Sequence, residues 1–421
     1  MKLWPFGKKA ETKAASYIYG MGALRMMNQD YHAYATEGYG INAVVRGCVD
    51  KIALAIPTVD IKVMRKTRSG QLENLESHPI LDLFERPCGN MTGEDFLADF
   101  MRYYLISGNA YVLGTGIDYQ AAKPQIKEMH LLNPQSMRII DTSNYYPDAY
   151  EHRYNGGSTL YPVNQINGMC AVMHKKSFNP LESRYGLSAM AAAAFSVDTL
   201  NEGDKWNLRL LQNEGRPSGA LVVKAGDGNA AVLADEQYKR LREMIDQQFS
   251  GSENAGRPML LEGGLDWREM SMNAKDMDHE RNMNKAARQI ALAYGVPPML
   301  LGIPGDNTYS NMAEARLAMW TDTILPLLRS VLGSFNTWLA PIYGQDIVLW
   351  YDEDMIPALE PLRKSKADRV EASTTMTLNE KRRAMGMDDY EGADVLLVDG
   401  NKIPVDLVGD MGLSEAAPAR V

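Results

Sequence analysis

The sequence predicts an α+β protein in which a mixed α/β region is followed by two long helices that bracket a small insertion. Short segments with strand-like alternation, joined by Gly, Asn and Pro turns, recur between residues 40 and 186. Beyond Gly186, helical periodicity continues for about 28 residues until Gly215 and Pro217, and it resumes over residues 275–294. This order of elements is the basis for the fold prediction.

The first region combines helices with several short strands. INAVVRGCVDKIALAI has helical spacing and ends at Pro57, and TVDIKVMRK alternates as a strand does. Thr92 and Asp95 predict a capped helix that stops at Gly108. Strands are predicted in NAYVLGTG, IKEMHLL, SMRIID, YEHRY and GMCAVMH. Short strands joined by tight turns indicate an antiparallel sheet.

The insertion between the long helices reads as a β-α-β module. SGALVVKAG predicts a strand, Asp235 caps a predicted helix, and GRPMLLEGGLDWREM predicts further strands. After the second long helix comes a loop rich in Gly and Pro, GVPPMLLGIPGDNTYSN. Asn311 and Glu314 then predict a helix start, and Pro326 predicts a bend in that helix.

The two ends of the chain differ from the middle. Residues 1–39 predict a flexible arm with a basic start. Near the other end, QDIVLWYD predicts a strand and IPALEPLRKSKADRVEASTTM a helix, and Thr377 with Glu380 forms a predicted capping box. The polar, Gly-rich last residues predict a disordered tip.

Composition excludes several classes of protein. A chain of 421 residues with 45% apolar residues predicts two or three globular domains. No apolar run approaches 18 residues, so no membrane partner is expected. The net charge of −9 argues against a stationary, high-affinity nucleic-acid binder, and three cysteines without a CxxC pair fit a reducing cytoplasm.

The sequence carries no recognisable catalytic motif. GxxxxGK[ST], GxSxG, HExxH and a GxGxxG before a helix are all absent, so no catalytic residue, metal site or cofactor is predicted and the chain is not expected to be an enzyme. One alternative stays open, because Asp352, Glu353 and Asp354 follow a strand, where carboxylates could hold Mg²⁺ in a hydrolase. The competing interpretation is a solvated junction between strand and loop.

Five stretches in the same order resemble the portal, or head-to-tail connector, proteins of tailed bacteriophages of the siphovirus type. They are HPILDLFERPCGNMTGEDFLADFMRYYLISGNAYV, YGLSAMAAA, LLQNEGRPSGALVV, ARQIALAYGVPPMLLGIPGDNTYSNMAEA and TLNEKRRAMGM. The likeness covers about residues 40–395 and is looser at Glu214, where Asn-Gly is more usual in the family. Another head-tail structural protein is the alternative within this class, although such adaptors are generally shorter.

The resemblance implies a ring-forming portal fold. It assigns a wing (40–186), first stem helix (187–215), clip (216–274), second stem helix (275–301), tunnel loop (302–311), kinked tunnel helix (312–343), wing return (344–370), and crown with C-terminal tail (371–421).

The resemblance also implies sites and partners. The tunnel loop would face DNA in the channel through Gly305, Asp306, Asn307, Thr308, Tyr309, Ser310 and Asn311. The clip would dock the terminase and head-tail adaptors through Tyr238, Arg240, Arg242, Glu243, Gln247, Glu253, Asn254 and Arg257. Further implied partners are eleven other copies in a ring, the major capsid and scaffolding proteins, and transient, non-specific double-stranded DNA. The implied location is the portal vertex of a virion, assembled in the cytoplasm of a host bacterium.

The composition of the tunnel loop agrees with a conduit. Every phosphate that a protein neutralises adds a salt-dependent attraction, and copies around a ring multiply it. Residues 302–311 contain no Lys or Arg, and Asp306 would repel phosphate. The loop is therefore interpreted as a surface past which DNA slides, not as a phosphate-binding cradle.

Overall fold

The computed structural model confirms the α+β class, with small antiparallel sheets packed against helices. The structure describes residues 27–68, 72–116, 125–142, 146–212, 219–223, 236, 239–240, 243, 265–269, 279–305, 309–398 and 403–404.

The first half of the described chain contains both helices and strands. The helices are α1 (Tyr31–Ala33), α2 (Ala43–Ala55), α3 (Pro79–Glu85), α4 (Gly93–Ser107) and α5 (Ala189–Gln212). The strands are β1 (Ile61–Lys66), β2 (Leu72–Asn74), β3 (Asn109–Thr115), β4 (Glu128–Leu132), β5 (Met137–Ile140), β6 (Ala149–Tyr154), β7 (Gly157–Pro162) and β8 (Val172–Lys176).

The second half of the described chain is mostly helical. Its helices are α6 (His279–Ala293), α7 (Tyr309–Ala318), α8 (Leu325–Tyr343), α9 (Glu360–Ala372) and α10 (Leu378–Ala384). Its strands are β9 (Gly219–Val223), β10 (Leu265–Glu269), β11 (Ile347–Tyr351), β12 (Leu397–Val398) and β13 (Ile403–Pro404).

The sheets join distant parts of the sequence. Strand order is β4-β3-β8 in one sheet and β5-β6-β7 in a second. A third sheet, β11-β1-β2, pairs Ile61 with Tyr351 and Arg65 with Ile347. The chain therefore returns after α8 to the sheet with which the first region began.

Local sequence signals explain several element boundaries. The Thr92 hydroxyl accepts the Asp95 N–H at 3.2 Å and donates to the Asp95 carboxylate, and Gly108 ends α4 in the left-handed conformation with φ 76°. Thr377 and Glu380 form the predicted capping box of α10. These three predictions are confirmed.

Strand β7 was not among the sequence predictions. It pairs with β6 across a turn at Asn155 and Gly156, whose φ values are 44° and 79°. Asn-Gly between two strands is a strong hairpin signal because both turn residues need positive φ. The sequence therefore contained the information for this strand.

The prediction of a flexible arm over residues 1–39 is wrong at its C-terminal end. Residues 31–41 are helical, as α1 and the π-helix Tyr34–Ile41, and the Tyr34 side chain is buried. The backbone N–H of Met27 donates to the Asp198 carboxylate of α5 at 2.9 Å. Packing against α5 therefore orders this segment, and residues 1–26 lie outside the described part.

The two long helices α5 and α6 pack side by side, as neighbours in the chain that bracket the β9–β10 pair. The Ser196 hydroxyl donates to the Gln289 side-chain oxygen at 2.8 Å, and Asn207 donates to the Met283 sulfur at 3.8 Å. Helix α5 has 24 residues and begins at Ala189, where Ser188 accepts the Met190 N–H. The predicted helix also included Leu187 and Ser188, which precede α5, and its last three predicted residues lie outside the described part.

One hydrophobic core connects most of these elements, with contributions from α2, α4, α5, α6, α8, β1 and β11. Phe335 of α8 has no solvent exposure, and its ring centroid lies 5.1 Å from that of Phe84 and 5.5 Å from that of Phe100. These distances are typical of tilted aromatic packing. The core fixes α8, and with it the segment that precedes α8.

Candidate functional site

The end of α6 forms the first support of the predicted tunnel loop. Gly295 adopts a left-handed conformation with φ 68°, which a residue with a Cβ rarely adopts. Its N–H donates to the Leu292 carbonyl at 3.0 Å, and the Val296 N–H donates to the Ala291 carbonyl at 2.9 Å. A glycine just past the last helical turn satisfies carbonyls that the helix leaves unpaired. The loop therefore leaves α6 at a defined angle.

The residues after Gly295 stay attached to the core. Pro298–Leu301 forms a 3-10 helix that ends at Gly302 with φ 73°. Ile303 is buried, and the Leu301 side chain lies in contact with Gly47 of α2. The chain is therefore held by apolar packing up to Ile303, and Pro304 is the first exposed residue beyond it.

A cation from α6 lies against the base of the loop. The Arg288 guanidinium donates to the Pro304 carbonyl at 2.6 Å, and it occupies the space where a Cβ on Gly305 would lie. The loop sequence itself has no Lys or Arg, so the sequence prediction did not include the positive charge of Arg288. Arg288 stands seven residues before Gly295, two helical turns back, so its position on the last turns of α6 was the available signal.

The second support comes from the segment between α7 and α8. Met319–Ile324 is a π-helix, and the Thr323 hydroxyl donates to the Gly295 carbonyl at 2.7 Å. The bend predicted at Pro326 stays a prediction: the structure has the π-helix before Leu325, and Pro326 lies in the first turn of α8. A proline at that position interrupts little, because first-turn N–H groups have no partner within their helix.

The predicted tunnel-loop residues fall into two groups. Gly305 is exposed and is the last described residue before the tip of the loop. Asp306, Asn307 and Thr308 lie outside the described residues. The prediction that Asn311 caps the following helix is wrong. Helix α7 begins at Tyr309, so Tyr309, Ser310 and Asn311 occupy its first turn. The loop between the two supports is therefore shorter than residues 302–311.

The predicted clip is described only in part. Strands β9 and β10 form an antiparallel pair in which Gly219 faces Glu269 and Val223 faces Leu265. Arg240 and Glu243 have helical backbone and exposed side chains. The other predicted docking residues lie outside the described part; they are Tyr238, Arg242, Gln247, Glu253, Asn254 and Arg257.

The acidic cluster after β11 takes part in ion pairs. The Lys62 ammonium donates to the Asp352 carboxylate at 2.5 Å and lowers the pKa of that carboxyl. Glu353 lies 3.7 Å from the Arg329 guanidinium and accepts a hydrogen bond from the Tyr351 hydroxyl at 3.3 Å. The Asp354 N–H donates to Asp352. Two of the three carboxylates thus form ion pairs with cations of the protein, as expected for a solvated junction between strand and loop.

The described residues contain no group of three or more His, Cys, Asp or Glu side chains placed to hold a metal ion. Within the same residues, no helix is both long and apolar enough to cross a membrane.

Comparison with known proteins extends over most of the chain. The family model Phage portal protein matches residues 43–386. An uncharacterized protein of Rickettsia bellii (strain RML369-C) is 40% identical over 360 residues, which cover 86% of this chain and 90% of the relative. The portal protein of Enterobacteria phage HK97 is 22% identical over 373 residues, covering 86% of this chain and 82% of that protein.

A solved structure agrees with these relatives. A chain in the neck of a native gene transfer agent particle, computed with C12 symmetry, aligns with a TM-score of 0.64 and 35% sequence identity. The alignment covers 88% of this chain and 97% of that chain. The family match covers far more than half of the sequence, and the described fold agrees with it. The chain belongs to the phage portal protein family and has the function of a portal protein.

Proposed function

We propose that this chain assembles into a ring of about twelve copies at one vertex of a capsid and that DNA enters and leaves through the ring. The observation that carries the proposal is the 35% identical chain in a particle neck computed with C12 symmetry. In this assembly, the region of β1–β8 and β11 is the wing, α5 and α6 are the stem helices, and the β9–β10 pair belongs to the clip.

The supported loop after α6 is proposed as the part of the channel wall closest to DNA. Its root is fixed by Gly295, Ile303 and Arg288, and its far end is fixed where α7 begins at Tyr309. A short tip between two firm ends can contact a moving duplex without being displaced. Arg288, the cation against its base, already donates to the Pro304 carbonyl.

The partners of the ring are part of the same proposal. The terminase large subunit and the head-tail adaptors dock on the clip, and the exposed Arg240 and Glu243 are the described side chains proposed to face them. The major capsid and scaffolding proteins contact the wing while the ring is assembled in the host cytoplasm. The chain itself supplies no catalytic step, and ATP hydrolysis belongs to the terminase.

The ring is tested by native mass spectrometry and negative-stain imaging of the purified full chain. We expect a closed ring of about twelve subunits with a central hole, as in the C12 neck. A chain that stays monomeric at all concentrations, and also when a procapsid is assembled with it, would contradict the proposal.

The loop is tested by a change of charge. Asn307→Lys places one added cation in each subunit, so DNA should move more slowly during packaging, and low salt should increase the effect. Asn307→Gln is the matched control and should package at the wild-type rate. If both variants assemble rings and package equally at low salt, the loop does not contact DNA.

A further inference from the structure

A groove of about 560 Å³ lies between β8 and α8 on the wing. Strand β8 is an edge strand in the sheet order β4-β3-β8. One wall of the groove is a face of α8 that presents Ser330, Ser334 and Thr337 at helical spacing. His174 and Lys175 of β8 belong to the opposite wall. The groove is separate from the tunnel loop and from the β9–β10 pair.

Lys175 is a buried cation in this wall. The residue is only 8% exposed, and its ammonium donates to the Ser330 hydroxyl at 2.6 Å and to the Ser330 carbonyl at 3.1 Å. The Tyr104 ring centroid lies 5.8 Å from the Lys175 nitrogen. Among the described residues, no carboxylate forms an ion pair with it. Burial lowers its pKa, and no neighbouring charge counteracts that effect.

A buried ammonium without a counter-charge is unusual. Lysine is almost never fully buried unless it is paired, because removal of the charge from water costs several kcal/mol. Two neutral oxygens from Ser330 replace only part of the lost hydration. His174, which lies in the same wall, adds no charge near neutral pH, since burial lowers the pKa of its imidazole to about 3. The net positive charge of this wall thus comes from Lys175.

The α8 side of the groove is built to accept a polar ligand. Ser334 and Thr337 donate to the carbonyls of Ser330 and Gly333 at 3.2 and 2.9 Å. Each hydroxyl can rotate and donate its proton to a bound oxyanion instead. Gly333 lies between Ser330 and Ser334 in the sequence, and the space where its Cβ would be is open within 4 Å. A ligand can therefore approach the α8 backbone next to Lys175.

We propose that this groove binds an oxyanion, either a phosphate or a carboxylate group, with Lys175 as its counter-charge and the α8 hydroxyls as donors. The oxyanion has two sources: a free small anion, or the carboxylate of an Asp or Glu from a second copy of this chain. The binding site does not depend on the proposed DNA conduit. Only the second source depends on ring formation.

The test is thermal unfolding of the full chain with inorganic phosphate as the probe, against sodium chloride at equal ionic strength. Phosphate stabilises proteins in general because it is excluded from their surfaces, so the quantity measured is the difference between variants. Wild type should gain about 3 °C more than Lys175→Met when phosphate is about 100 times its dissociation constant. Lys176→Met, at the exposed neighbouring position, is the matched control and should respond as wild type does.

A second variant and a second form of the protein separate the outcomes. Ser330→Ala keeps the charge and should still respond to phosphate, so it shows whether the response follows the cation. A response in both monomer and ring identifies a free anion, and a response in the monomer alone identifies a carboxylate of the second copy. The proposal is overturned if Lys175→Met gains as much from phosphate as wild type does in both forms.

Discussion

The two faces of helix α8 pack against surroundings of opposite character. One face places Leu328, Val331, Leu332, Phe335 and Leu339 in the core, each at most 2% exposed. The other face presents hydroxyls and Gly333 to the groove that contains Lys175. The apolar face needs only other apolar surface, which any well-packed core supplies. The polar face needs specific partners, so its energetics depend on groups far away in the sequence.

The largest expected effect is on the apolar face. Phe335→Ala removes a ring that packs against Phe84 and Phe100 and leaves a cavity, so the free energy of unfolding should fall by about 3–5 kcal/mol. Thr337→Ala, on the groove side of the same helix, should change it by less than about 0.5 kcal/mol. Urea denaturation of the two variants makes the comparison. Similar losses from both would show that the two faces do not differ.

Two glycines at the start of the loop also differ in their surroundings: Gly295 is crowded by a neighbouring side chain, and Gly302 is not. Gly295 and Gly302 both have positive φ, so alanine should cost about 1–2 kcal/mol at either position. A Cβ on Gly295 would lie 2.8 Å from the Thr323 hydroxyl, whereas the space beside Gly302 is open. Gly295→Ala should therefore cost about 1 kcal/mol more, because the Thr323 hydrogen bond is also disturbed.

Denaturation of the two alanine variants gives this difference, and Thr323→Ala provides the check. If the hydrogen bond is the cause, Gly295→Ala and Gly302→Ala should cost the same in the Thr323→Ala background. An unchanged difference would mean that the contact with Thr323 does not support the loop.

The sequence predicted the local features of this fold better than the distant ones. Thr92, Gly108 and the Thr377–Glu380 box act on their own helix ends, so their patterns sufficed. The portal family and most of the order of helices and strands were likewise predicted, apart from β7 and the helical segment of residues 31–41. The start of α7 at Tyr309 was not, because a helix can extend beyond a good capping residue when the packing around it permits.

The functional contacts escaped prediction for a related reason. Arg288 and Pro304 are 16 residues apart, and Lys175 and Ser330 are 155 apart. No periodicity or spacing links residues at such distances, and their contact follows only from how the helices pack. The buried lysine therefore appeared only in the folded structure.

Lys175 predicts a pH dependence with a definite sign. Burial lowers its pKa in the folded state, so the unfolded chain binds more protons between that value and the ordinary value of about 10.5. Stability should therefore rise with pH across this window, by about 1.4 kcal/mol for each unit by which the pKa is lowered. Lys175→Met should remove that slope, whereas Lys176→Met should retain it.

The measurement is urea denaturation at several pH values from 7 to about 10, in chloride buffers without phosphate. Each variant is compared with wild type so that the titration of other groups cancels. Tyr104, whose ring lies beside Lys175, interferes little below pH 10 because burial raises its pKa. A wild-type slope that persists in Lys175→Met would mean that Lys175 is not the group whose pKa is lowered in the folded state.

The smallest change in the free energy of unfolding is expected at the ion pair between Lys62 and Asp352. The Lys62 and Asp352 side chains are 35% and 23% exposed, so solvent screens their ion pair and Asp352→Asn should cost about 0.2–1 kcal/mol. Lys62 lowers the pKa of Asp352, so this contribution is present near neutral pH and is lost as pH falls below about 4. High salt should reduce it further, because exposed charges are screened. Denaturation of Asp352→Asn and wild type at pH 7 and pH 3, in low and high salt, tests this. A loss larger than that of Gly295→Ala would mean that the Asp352 cluster is more than a surface junction.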